Sequence, residues 1–158
     1  MDIEHLFNFA AELNRLLPSD VTHQLSNCAL LDILISDTEL RNAISPLFLH
    51  GHFAQAIEEA LKFFDNLVSD TSHIKNESGA KLMNLVFSAN KPILRFNTLS
   101  TRSEKDEQRG LMMITAGLMT GLRNPRAHDS GRQDNFEDAI SILVFVNYLV
   151  LRVRRADV

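Results

Sequence analysis

The stretch LRNPRAHDS, residues 122–130, sets Arg123 and His128 five residues apart with Asn124-Pro125 between them. The planar fork of arginine matches phosphate oxygens, and histidine is the side chain that exchanges a proton near neutral pH. The pair is therefore equipped for phosphodiester chemistry, provided the two side chains can meet. Asn124 precedes a proline, whose ring pushes the preceding residue out of the α region, so the spacing predicts a helix end at about Arg123. On a continuous helix, residues five apart diverge by about 140° around the axis. A break at Asn124-Pro125 removes that constraint and lets Arg123 and His128 share one patch, which Arg126 and Asp129 would line. Spacing alone gives more weight to a plainer account: a cation near a helix C-terminus, worth about 0.3–1 kcal/mol, followed by a turn with an incidental histidine.

Other chemistry is weaker. His50 and His52 in HGH lack the cysteine or carboxylate spacing that completes a metal site, and read as a turn with surface histidines. No phosphate-cradling glycine loop and no nucleophile elbow occurs, so Ser130 has no catalytic setting. Cys28 lies in an apolar helical stretch and reads as an inert core residue. No cofactor and no metal are expected.

The positioning elements follow from hydrophobic spacing, which is helical almost everywhere. Residues 2–17 put Ile3, Leu6, Phe7, Ala10, Leu13, Leu16 and Leu17 on one stripe, with Asp2 as N-cap and Pro18 as stop; a second helix runs from about Val21 to Ile35. Ser36 or Asp37 caps the next helix, with a break expected near Pro46. A long helix then carries Phe53, Ala56, Ile57, Ala60, Leu61, Phe64 and Leu67 on one face. Residues 69–102 change texture: a loop, the short amphipathic GAKLMNLVFS, and NKPILRFNTLST, the one place for a strand or β-hairpin. Ser103 and Asp106 resemble a capping box opening a helix to about Arg123, and DNFE (134–137) opens the last helix, apolar on most sides.

Gly110, Gly117 and Gly121 share a face of the penultimate helix. Interior glycines each cost a helix about 0.8–1 kcal/mol against alanine, so three on one face predict backbone approaching backbone, either the last helix or a second copy of the chain. The sum is an all-α bundle of five to six helices with a small irregular or β-hairpin insert. Residues 1–36 read as an N-terminal helical extension and 37–158 as one compact unit.

Bulk properties limit the function. At 158 residues the chain fits one domain, able to bury about 68–70% of its unfolded surface. One cysteine allows no intrachain disulfide, the start lacks the basic region of a signal peptide, and the apolar run 142–151 is too short for the roughly 20 residues of a membrane span. A cytoplasmic protein without membrane contact is expected. Its net charge of −4 argues against a broad electrostatic footprint on nucleic acid, so any polyanion would be held at one small site. Arg152, Arg154 and Arg155 read as compensation of the last helix's dipole and a source of solubility.

Three segments carry a resemblance: GHFAQAIEEALK (51–62), SEKDEQRG (103–110) and GLRNPRAH (121–128). With the residues between them, from about 43 to 155, they resemble the Ymh-type family of small bacterial proteins. These in turn are similar to the HEPN superfamily, all-helical domains that pair as dimers. Many HEPN proteins are metal-independent endoribonucleases with an arginine, often a polar residue directly after it, and a histidine after four to six intervening residues. Arg123, Asn124 and His128 match that pattern with four between. The resemblance implies a HEPN-like helical domain acting on RNA as a homodimer, of the toxin, abortive-infection or phage-defence type. It also implies an antitoxin or other defence-system partner protein.

Metal-free RNA cleavage needs a base for the 2′-hydroxyl proton, an acid for the leaving 5′-oxygen and a cation for the phosphate charge. A two-fold dimer would supply two copies of Arg123 and His128 to one cleft, with Asn124 orienting the histidine or holding the break. Acidic residues that some relatives place in the cleft would correspond to Glu59 or Asp106. Where some antitoxin-paired relatives carry a tyrosine this chain has Ser130, so no role passes to it. Because many HEPN domains do not cut, the second reading is a non-catalytic module that binds RNA, a nucleotide or a protein through the same groove.

Overall fold

The computed structural model describes residues 19–128 and 131–157. The elements are α1 (Ser19–Leu34), α2 (Thr38–Leu49), α3 (Phe53–Ser72), α4 (Gly79–Val86), α5 (Arg102–Leu118), a π turn (Met119–Arg123), α6 (Asn124–His128) and α7 (Phe136–Arg154). Among the described residues no strand forms, and the architecture is the expected all-α bundle. No helix there is long and apolar enough to cross a membrane. The helix expected over 2–17, with Asp2 and Pro18 at its ends, lies outside the described residues.

The hydrophobic face of α3 organises the rest. Ala56, Ile57, Ala60, Leu61, Phe64 and Val68 are fully buried, and α2 and α7 pack against them. At its N-terminal end Phe53 meets Phe48 of α2 and Phe136 of α7, with ring centroids 5.2 and 5.8 Å apart. This aromatic knot ties the start of α7 to the start of α3. Leu31 of α1 and Ile35, just past its end, enter the same core. α7 turns Leu143, Val146, Val150 and Val153 inward, while Phe145 and Tyr148 stay exposed.

Several boundaries differ from expectation, each for a local reason. Pro46 does not break α2: it lies on the exposed side three residues from the helix end, next to the exposed Asn42 whose carbonyl loses its donor. The N-cap there is Asp37, whose side chain accepts the Leu40 N–H at 2.9 Å. The box opening α5 is Thr101 with Glu104, two residues before the expected pair, and Asn135 rather than Asp134 caps α7. The expected strand or hairpin is a single antiparallel bridge, Arg95 to Asp157. Gln108 of α5, fully buried, takes the place of a second strand: it accepts the Phe96 N–H at 3.0 Å and donates to the carbonyls of Phe87 and Leu94 at 3.2 and 3.1 Å.

Among the described residues the glycines meet no partner backbone. α5 packs on α4 and α7 on α3, and a Cβ built on Gly110 or Gly117 of α5, or on Gly121 of the π turn, would meet nothing within 4 Å there. The C-terminal arginines are more than dipole compensation. Arg152 bonds Glu107 at 2.9 Å and covers the Phe96 ring, and Arg154 pairs with Asp37 and with Glu39, the latter at 2.9 Å.

These latches make the fold sensitive to acid. Burial pushes the Asp37 carboxyl up, but Arg154 and the Leu40 N–H outweigh it and hold it below the usual range. The Ser100 hydroxyl and Thr101 N–H lower Glu104 to about 2, and Asn97 and Arg152 lower Glu107. Depressed carboxylates stabilise the fold above their unfolded pKa and lose that contribution as pH falls through the folded value. The urea midpoint is therefore expected to fall progressively from about pH 4.5, where the glutamates begin to lose their contribution, towards pH 2, and Asp37→Asn to flatten the part of that decline below about pH 3.8.

Candidate functional site

The segment holding Arg123 and His128 does not break. α5 runs into a π turn closed by the Asn124 N–H on the Met119 carbonyl, and Asn124 keeps α-region angles of −59° and −45°. In an uninterrupted α-helix the ring of Pro125 would strike the Gly121 carbonyl and leave it without a donor. An i→i+5 turn just before the proline re-spaces those carbonyls, and Arg126 supplies a side-chain N–H to the next one, Leu122 O, at 2.9 Å. The proline is thus absorbed into the helix, and α6 continues to His128.

Continuity separates the two expected partners. Arg123 turns towards α3 and its side chain is 28% exposed, while His128 faces solvent. Among the described residues no hydrogen bond or ion pair joins them. His128 and the side chain of Asn124 have no hydrogen-bond partner among those residues, so Asn124 is not seen to orient the histidine. Asp129 lies outside them.

Arg123 is held from below. Its Nη1 stands 3.7 Å from Oδ2 of Asp65, a carboxylate only 6% exposed on the buried face of α3. Oδ1 of the same group accepts the Gly79 N–H at 2.8 Å and so caps α4 in place of the Ser78 side chain. Gly79 has φ +61°, and a Cβ there would lie 3.8 Å from Arg123 Nη1. Asp65 is thus the carboxylate nearest Arg123, although in the run LKFFDNLV nothing distinguishes a lone Asp from the edge of a polar face. Glu59 instead faces Lys62 at 3.4 Å. Asp106 is exposed near the start of α5, about 25 Å along the helix from Arg123, beside Arg102.

Arg126 is not a free cation. It is 5% exposed and forms a fork with Asp134, Nε to Oδ2 at 2.9 Å and Nη2 to Oδ1 at 2.7 Å. Arg132 approaches the same carboxylate at 3.7 Å and is 40% exposed. The clamp ties α6 to the loop before α7. Beside it, an open cavity of about 340 Å³ lies between that loop and the start of α3, lined by His52, Gln55, Arg132, Gln133 and Asp134 among others. His50 bonds the Pro46 carbonyl at 2.6 Å, and among the described residues no three His, Cys, Asp or Glu side chains gather as metal ligands. Cys28 is exposed, against the expectation of a core residue.

Residues 36–153 match the Hypoth_ymh family, described as proteins of unknown function. The chain belongs to that family. The match takes in Asp65, the π turn, the Arg126–Asp134 clamp and His128, so everything that seats the candidate site lies within the family's span. Neither the curated proteins nor the solved structures gave a match to this member of the family.

Proposed function

We propose that this protein is a metal-independent endoribonuclease of the toxin, abortive-infection or phage-defence type, cleaving RNA by 2′-hydroxyl attack in a cleft shared by two copies of the chain. The observation that carries the proposal is the contrast within one short segment. Arg123 is a partly exposed cation held by a buried carboxylate, and His128 is an exposed imidazole with no described partner.

In the reaction, one His128 takes the 2′-hydroxyl proton, the 2′-oxygen attacks phosphorus, and the 5′-oxygen leaves with a proton from a second His128. Arg123 holds the phosphoryl oxygens while negative charge grows on them. One chain offers one such histidine, exposed and with no described bond to its own Arg123, which favours a cleft completed by a second copy. The outward side of α5, with Met113 62% and Ile114 44% exposed beside the open glycines, is apolar surface suited to that contact. Arg132 and the two glutamines of the adjoining cavity offer donors for the strand beyond the scissile bond. An antitoxin or other defence protein would act by covering the cleft.

Purified protein incubated with RNA in excess EDTA is expected to give fragments with cyclic phosphate and 5′-hydroxyl ends, and to sediment as a dimer. RNA that stays intact, or cleavage only after a divalent ion is added, overturns the proposal. Stable RNA or protein binding without cleavage under any condition would instead assign a binding module.

A further inference from the structure

We infer that Asp65 is the positioning residue of this site: its carboxylate, buried between α3, α4 and the π turn, sets the orientation in which the Arg123 guanidinium meets the scissile phosphate. This rests on the ribonuclease reading above and adds a residue to it.

The placement of the carboxylate is the first argument. Asp65 sits on the same buried face as Leu61, Phe64 and Val68, where an unpaired charge costs several kcal/mol of desolvation and persists only with partners. It has two of them. The Gly79 N–H needs only an acceptor, and a neutral amide oxygen would serve it equally. Among the described residues, the negative charge is required only by Arg123.

The second argument is the contrast between the two arginines of RNPR. The fork of Arg126 is fully engaged: both donors on its outer edge meet Asp134, its remaining Nη meets a carbonyl, and water hardly reaches it. Arg123 meets its carboxylate through one nitrogen at 3.7 Å, longer than the 2.7–2.9 Å typical of a charge-assisted hydrogen bond, and its side chain remains 28% exposed. Asp65 therefore orients that guanidinium without consuming its donors, and the rest of the fork stays open to a ligand. Gly79, bare of a side chain and turned to positive φ, leaves the space beside Nη1 clear.

A double-mutant cycle on RNA cleavage by the purified protein separates orientation from simple stability. Asp65→Asn keeps the acceptor for Gly79 and loses the charge. It is expected to lower kcat by about 10–100-fold with KM little changed, as loss of a supporting contact to a catalytic group does. Arg123→Ala is expected to lower kcat further, and Asp65→Asn with Arg123→Ala to be no slower than Arg123→Ala alone, because a residue acting through Arg123 has nothing left to act on. Should Asp65→Asn not fold, Asp65→Glu keeps the charge, displaces it, and is expected to lower kcat in the same way. Wild-type kcat in the Asp65 variant, or losses that multiply in the double variant, overturn the inference and leave the ribonuclease standing. Wild-type protein that cleaves no RNA removes both.

Discussion

Replacing His128 by alanine is expected to leave the protein folded and to lower RNA cleavage at least 100-fold. The two halves of this expectation come from the same observation. The ring is exposed and no described residue bonds it, so truncation removes neither buried area nor a hydrogen bond, and surface changes of that kind stay within about 0.5 kcal/mol. A positioned acid or base contributes about 10²–10⁴ to the rate, and in a cleft built by two copies one substitution removes both proton carriers. A thermal midpoint and a cleavage assay on the same preparation check the pair of outcomes. Mixing the variant with wild-type chains tests the shared cleft: if acid and base come from different protomers, activity falls more steeply than the fraction of wild-type chains. Cleavage at the wild-type rate by His128→Ala would remove the histidine from the mechanism. Arg123→Ala is a less clean experiment, because it strands the buried charge of Asp65.

The difference between those two residues was not legible in the sequence, and the reason is physical. Periodicity identified the α3 face, because burial of a stripe every three to four residues is a local property of one helix. Spacing likewise exposed Arg123 and His128 as a pair, but the rule that placed a break between them failed. The clash of a proline with the residue before it disfavours the α region without forbidding it, and the ring's other obstacle, the Gly121 carbonyl, is relieved by the π turn at Met119–Arg123. Nothing in MTGLR announces such a turn. Its stabilising partner, the Arg126 side chain on Leu122 O, exists only once Asp134 has drawn the arginine inward.

The same holds for the residues that seat the site. Gln108 stands among charged residues in SEKDEQRG, yet it lies in the core holding three backbone groups of a segment that forms no strand. Asp65 finds its partners fourteen and fifty-eight residues away, at Gly79 and Arg123. Buried polar pairs of this sort depend on how helices dock, which no local pattern encodes. The glycines of α5 err in the other direction. Their shared face was legible, but the surface it meets is not another part of the described chain.

Arg126→Met is expected to destabilise the protein by about 3 kcal/mol, at the lower end of the 3–5 kcal/mol for breaking a buried pair. The substitution leaves the Asp134 carboxylate, only 6% exposed, without its fork, and removes a side-chain donor from the Leu122 carbonyl. Arg132, at 3.7 Å and itself 40% exposed, offsets part of the loss but cannot supply two parallel hydrogen bonds from where it stands. For a chain of this length the thermal midpoint should fall by about 6–12 °C. The double variant Arg126→Met with Asp134→Leu should recover much of that, because removing both charges leaves no buried ion to solvate. Cleavage should follow stability through this series, since the clamp ties α6, and with it His128, to the loop before α7. An arginine that touched RNA would behave differently: Arg126→Met would stay as stable as the wild type while losing activity, and removing Asp134 would restore neither. The buried fork predicts that Arg126 builds the seat of His128 and never meets the phosphate.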